Sequence, residues 1–172
     1  MFSMALDSST DPVDTILAQW QKERPDLDVS PMGLIGRTTR LASHLRKAIG
    51  KTFAEFGLQP GEFDVLATLR RSGTPHQLTP TKLFKSMMVS SGTMTNRIDR
   101  LEKAGLVARM PDERDRRGTL IALTEKGFDL IEAAVTAHVN NEHRILDVLN
   151  ASERDQLATL LRKMLLSFED GV

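Results

Sequence analysis

Leu78 to Gly127 reads LTPTKLFKSMMVSSGTMTNRIDRLEKAGLVARMPDERDRRGTLIALTEKG, and the fold is decided inside this stretch. Thr79 to Met87 has the composition of a short helix and Val89 to Ala104 that of another, with a tight break around Met88 and Gly105 as the stop. Leu106 to Met110 and Thr119 to Leu123 are β-prone runs on either side of PDERDRRG, which predicts an antiparallel hairpin with a charged tip. A helix-turn-helix followed directly by a hairpin is a winged helix. In that arrangement the second helix of the pair enters a major groove of DNA, and the hairpin tip reaches phosphates or the adjacent minor groove.

The rest of the chain predicts helices. Asp11-Pro12 supplies a cap and a first-turn proline, and Val13, Ile16, Leu17 and Trp20 then recur at helical spacing in a helix from Pro12 to Glu23, ahead of Pro25. Ser30-Pro31 opens a long helix whose apolar period runs from Leu34 to Phe56 and ends at Gly57, and Pro60 to Arg71 is a third. After the hairpin, Thr124 begins a helix to about Leu149. Ser152 to Asp155 resembles a capping box with Asp for Glu, opening a last helix with an apolar stripe of Leu157, Leu160, Leu161, Met164, Leu165 and Phe168. The expected fold class is mainly α with a small β-hairpin wing, in three segments: 1–57, 58–123 and 124–172.

Charge points the same way. The 172 residues carry 23 Lys and Arg against 23 Asp and Glu, but unevenly. Residues 1–30 have a net charge of −4, 31–57 of +4, 82–117 of +4, and 118–172 of −4. A basic middle between acidic ends suits a central module that faces phosphates. The chain has no cysteine, which excludes thiolate zinc sites, disulfides and cysteine nucleophiles. His44, His76, His138 and His143 never pair at i, i+3 or i, i+4, and no glycine-rich phosphate loop or nucleophile motif is present, so neither metal nor cofactor is expected and the chain does not read as an enzyme. No apolar run is long enough to span a bilayer and the start lacks a secretory pattern, so a cytoplasmic, nucleoid-associated protein is expected.

With Met94 set at zero and about 100° per residue, Ile98 falls near +40° and Leu101 near −20°, defining the buried side of the second helix of the pair. Thr93, Thr95, Asn96 and Arg100 fall at roughly −100°, +100°, −160° and −120°, on the outside, with Ser90 and Ser91 in the capping turn. These side chains are candidates for reading bases or holding phosphates. In the hairpin, Arg114, Arg116 and Arg117 are candidates for phosphates or a narrow minor groove, with Asp115 available to fix a guanidinium direction. Arg97, at about −60°, lies beside the buried stripe instead.

The run from Leu78 to Val107 followed by DERDRRGTLIALTEKG is similar to the core of the MarR family of bacterial transcription regulators, and the pattern from about Leu34 to Phe168 fits it throughout. The resemblance implies a triangular homodimer held by terminal dimerisation helices, a minor-groove contact by Arg117 and an orienting role for Asp115. Within the family the chain resembles the urate-responsive branch of PecS-type regulators, through the extra N-terminal helix, ERPDLDVSPMGLIGR and GEFDVLATLRRSG. Trp20, Asp64, Arg97 and Arg109 match that branch's ligand-response positions one by one. The implied ligand is a small anionic aromatic molecule such as urate, and the implied partner is double-stranded DNA. An Asp64 to Arg109 ion pair is expected, because a carboxylate near the start of a core helix is costly if buried without a cation.

Overall fold

The structure, a computed structural model, describes residues 10–87, 94–112 and 115–169, with the backbone alone for Met94, Arg116 and Arg117. It divides into two compact units, Met1–Ala48 and Ile49–Val172.

The first unit holds α1 (Pro12–Glu23) and the first part of α2 (Ser30–Glu55). Asp11 Oδ1 accepts the Val13 N–H at 2.7 Å and Asp14 Oδ2 accepts the Asp11 N–H at 2.8 Å, so the orphan donors at the start of α1 are satisfied reciprocally. The same two carboxylates take Arg37 of α2, at 2.8 and 2.6 Å. Small residues let the helices approach: a Cβ at Gly33 would stand 3.0 Å from Leu17 Cδ1, and Gly36 faces Val13, the buried residue of α1.

The second unit contains the end of α2, α3 (Pro60–Arg71), β1 (Gln77–Leu78), α4 (Pro80–Lys85), α5 (Met94–Lys103), β2 (Val107–Asp112), β3 (Asp115–Leu123), α6 (Glu125–Leu146) and α7 (Ala151–Glu169). Helix α3 is its centre. Val65, Leu66 and Leu69 are buried among Leu83 of α4, Ile98 and Leu101 of α5, Ile121 of β3 and Ile131 of α6. Phe63 stacks on Phe53 of α2 with ring centroids 3.9 Å apart, and the His138 ring of α6 packs against both.

Three expectations are corrected. The sheet has three strands in the order β1-β3-β2, because Gln77 and Leu78 pair with Ala122 and Ile121. The strands also run further toward the tip than expected. Pro111 stands opposite Thr119, and a register shift then brings Asp112 opposite Asp115, so much of PDERDRRG is ladder and not loop. Pro111 is tolerated because β2 is an edge strand and needs no outward donor there. Finally, α7 is capped by Asn150 and Glu153: Asn150 Oδ1 accepts the Glu153 N–H at 3.0 Å and Glu153 Oε2 accepts the Asn150 N–H at 2.8 Å. Asn is as good a cap as Ser and brings a full-length Glu to the third position, which Ser152 with Asp155 cannot.

Helix α6 starts pressed against the end of α5. Thr124 Oγ1 accepts the Gly127 N–H at 3.0 Å and donates to the Gly105 carbonyl at 2.8 Å, while Lys126 Nζ donates to the Ala104 carbonyl at 2.8 Å. A Cβ at Gly127 would lie 1.9 Å from the Leu106 carbonyl oxygen, so only glycine admits this approach. Helix α7 has no buried residue; Leu160 is 61% and Phe168 74% exposed.

Candidate nucleic-acid interface and anion site

Helix α5 has the expected faces. Ile98 and Leu101 are buried, Thr95, Asn96 and Arg100 are exposed, and Arg97 lies between. Two of its arginines, one turn apart, meet the first turn of α3. That turn starts at Pro60, already helical in φ, and presents Gly61, Glu62 and Asp64 in quick succession.

Arg97 lies over Gly61 so closely that a Cβ there would be 2.2 Å from the guanidinium carbon. Its Nη1 is buried with no hydrogen-bond partner among the described residues. Asp64 is half-buried, and burial pushes its carboxyl above the ordinary aspartate range, against the opposing pull of Arg97, Arg71 and His138. A strong donor with an unmet bond therefore sits near a carboxylate disfavoured in its charged form. Arg71 extends the group toward the end of α4, donating to Thr68 Oγ1 at 3.1 Å and to the Ser86 carbonyl.

The side chain of Glu62 is 6% exposed and makes two contacts. Oε2 accepts the Gln59 N–H at 2.8 Å, and Oε1 lies 2.9 Å from Nε of Arg100, which is itself 59% exposed.

Arg109 does not pair with Asp64. It bonds Asp99 and Glu102 of α5, and its backbone N–H donates to Glu102 Oε1 at 3.3 Å. The reason is local. Only three residues separate α5 from β2, so the strand returns along its own helix, where carboxylates at i and i+3 share a face. The hydrogen bond that Arg109 donates to Asp99 raises the Arg109 pKa further above its already high value, so this link between wing root and helix stays charged.

A model of the MarR family matches residues 58–119, which span α3 to the wing. The chain is 44% identical over 152 residues to the HTH-type transcriptional regulator PecS of Dickeya dadantii (strain 3937), covering 88% of this chain and 92% of that one. The chain belongs to the MarR family. Among solved MarR-family structures, a cysteine-to-serine mutant of E. coli MarR complexed with operator DNA is similar at a TM-score of 0.67 and 26% identity, over 80% of this chain and 97% of that one. A structure concerning the regulation of DNA binding of Bordetella bronchiseptica BpsR by 6-hydroxynicotinic acid is similar at a TM-score of 0.65 and 29% identity, over 76% and 91%. As a MarR-family protein of the PecS branch the chain is a DNA-binding transcription regulator and not an enzyme.

For this MarR-family chain, Ser90, Ser91, Thr93 and Arg114 lie outside the described residues, as do the side chains of Arg116 and Arg117, whose backbone is in β3. Asp115 is exposed at the first position of β3. The structure brings Asp64 and Arg97 together in the second unit and attaches Arg109 to α5. Trp20, 43% exposed, belongs to the first unit. Sequence reasoning missed Gly61, Glu62, Arg71, Asp99 and Glu102. A signal existed for Glu62, because Glu three residues after a cap and two after Pro is the capping-box position. No helix is long and apolar enough to cross a membrane among the described residues.

Proposed function

We propose that this regulator binds a pseudo-palindromic operator as a homodimer, acts as a repressor, and is released by urate or a related purine or aromatic anion. The observation that carries the ligand reading is the Arg97 guanidinium, with a buried and unpartnered Nη1 near half-buried Asp64. Urate is a planar anion at neutral pH, and a guanidinium matches it in charge, plane and donor geometry. Trp20, the only tryptophan, supplies aromatic surface in this reading. An anion on Arg97 competes with Asp64 and repels it. Arg97 rides on α5, and α5 carries the carboxylates that hold Arg109, so a displacement of α5 draws the wing root with it and DNA affinity falls. Ligand and DNA then oppose each other by linkage.

Thr95, Asn96 and Arg100 on the outer face of α5 support the DNA reading, with Ser90, Ser91, Thr93, Arg114 and Arg116 assigned from their position and chemistry in the sequence and Arg117 by family resemblance as well. The exposed Leu160, Leu165 and Phe168 of α7 support a second copy as the partner that covers this helix, since apolar burial drives such association.

The test is one titration. A labelled duplex from beside the protein's own gene is bound at fixed salt, and urate is added while sedimentation reports the assembly. Binding as a dimer, lost saturably as urate rises and retained in Arg97→Ala protein that still binds the duplex, is expected. DNA affinity indifferent to millimolar urate would remove the switch, and a monomer at micromolar concentration would remove the dimer.

A further inference from the structure

We propose that Glu62 is a positioning residue for DNA reading: its buried carboxylate fixes the Arg100 guanidinium on the recognition helix, so that Arg100 meets DNA in a preset orientation. This rests on the reading of Arg100 as a DNA contact. A glutamate buried to this degree needs a cation, and among the described residues Arg100 is the one in contact. The carboxylate cannot turn away, because its other oxygen is held by the Gln59 N–H at 2.8 Å, anchored to the first turn of the central core helix. The 2.9 Å contact engages Nε, the inner nitrogen of Arg100, on a side chain that is otherwise largely in solvent. What remains for a phosphate or a base edge is the outer pair of nitrogens, on the same exposed face as Asn96.

Arg100 does not abandon Glu62 for DNA. A surface phosphate contact gains less than is lost by leaving a buried carboxylate without its cation. The pair therefore persists in the complex, and the guanidinium direction is settled before DNA arrives. An arginine held in this way discriminates between sequences, because it cannot swing to satisfy a wrong base pair. The contact also joins two neighbours: Gly61 seats Arg97, and Glu62 seats Arg100 one turn along the same helix.

The experiment measures a specificity ratio, the affinity for a duplex that the wild type selects from a randomised pool divided by the affinity for the unselected pool, at one salt concentration. The full chain is used as wild type, Glu62→Gln, Arg100→Gln, Arg100→Lys and the double variant Glu62→Gln/Arg100→Gln. Glu62→Gln is expected to lower the ratio about three- to tenfold, the scale of releasing one rotamer-rich side chain. Affinity for the pool should hold or rise, since an acidic charge is removed. On the Arg100→Gln background the same change should do nothing further. Arg100→Lys is a second probe on an exposed face: it keeps the charge but not the fork, and its ratio should fall. If Arg100→Gln lowers the ratio but Glu62→Gln and Arg100→Lys match wild type, the positioning role is wrong while Arg100 remains a contact. A Glu62→Gln loss of equal size on both backgrounds assigns Glu62 to the fold alone and overturns the proposal. An Arg100→Gln ratio equal to wild type removes Arg100 from the DNA contacts and takes the proposal with it.

Discussion

Replacing Gly61 by alanine tests the anion site without altering any group proposed to meet the ligand. The new Cβ would stand 2.2 Å from Arg97 Cζ, 2.3 Å from Nε and 2.7 Å from Nη1, where ordinary contact begins at 3.4 Å. The guanidinium must retreat by about 1.2 Å. It is the far end of a flexible side chain, so the backbone of α3 has no reason to move. Alanine favours an early helical position over glycine by about 1 kcal/mol, so stability should hold or rise. Ligand affinity should not. A displacement of this size breaks a charge-assisted hydrogen bond, worth about 1.5–3 kcal/mol, or roughly ten- to a hundredfold in dissociation constant. Calorimetric titration reports urate binding, and anisotropy of a labelled duplex reports release. The expected result is an unchanged or raised melting temperature together with a urate midpoint shifted upward by at least tenfold in both readouts. A Gly61→Ala protein that folds and responds at the wild-type urate concentration would show that the seat of Arg97 plays no part in ligand recognition.

Two other substitutions bear on site and fold. Burial raises the Asp64 carboxyl above its unfolded value of 3.8, so the folded protein holds that proton more tightly and the charged form weakens the fold at neutral pH. Asp64→Asn should therefore be more stable than wild type at pH 7, with a gap that narrows as pH falls through the raised value toward 3.8; a gap constant in urea melts at pH 7 and pH 4.5 would contradict this. In the same protein, ligand binding should survive and release from DNA should weaken. Gly127→Ala drives a Cβ onto backbone, 1.9 Å from the Leu106 oxygen, and should break the bonds from Thr124 and Lys126 to the carbonyls of residues 104–106. Three such bonds at about 1 kcal/mol each, less about 1 kcal/mol of helix propensity, leave a loss of about 2 kcal/mol. An unchanged urea midpoint would show that α6 docks without them.

Whereas α4, expected from Thr79 to Met87, runs from Pro80 to Lys85, two of the helices with a proline at their first position were legible in the sequence to the residue: α1 as Pro12–Glu23 and α3 as Pro60–Arg71. There the start is written in local chemistry, a cap followed by a fixed φ. Strand β1 was not legible, because two residues carry no alternation and their pairing is decided by β3, more than forty positions away. The extent of the wing strands was hidden by charge, since pairing near the tip joins Asp112 to Asp115 and not one apolar residue to another. The faces of α5 followed from its 3.6-residue period, but the partners of its charges did not. Asp99 and Glu102 look like ordinary solvated acids until the short connection to β2 brings Arg109 back onto them. Glu62 was missed for a similar reason: a glutamate in a first helical turn is usually exposed, whereas here it is buried and meets Arg100 of α5.

The bonds from Arg109 to Asp99 and Glu102, with the two arginine seats on α3, have a consequence for anyone re-engineering the protein's target sequence. Helix α5 is not an exchangeable cartridge. A donor helix brought in alone would arrive without the carboxylates that grip the strand behind it, or with an arginine spacing for which Gly61 and Glu62 are no cradle. The smallest transplant that keeps its own sockets runs from the opening turn of α3 to the root of the wing, Pro60 to Arg109. Libraries meant to change DNA preference should vary outward positions such as Thr95 and Asn96 inside that block and leave its internal plugs untouched.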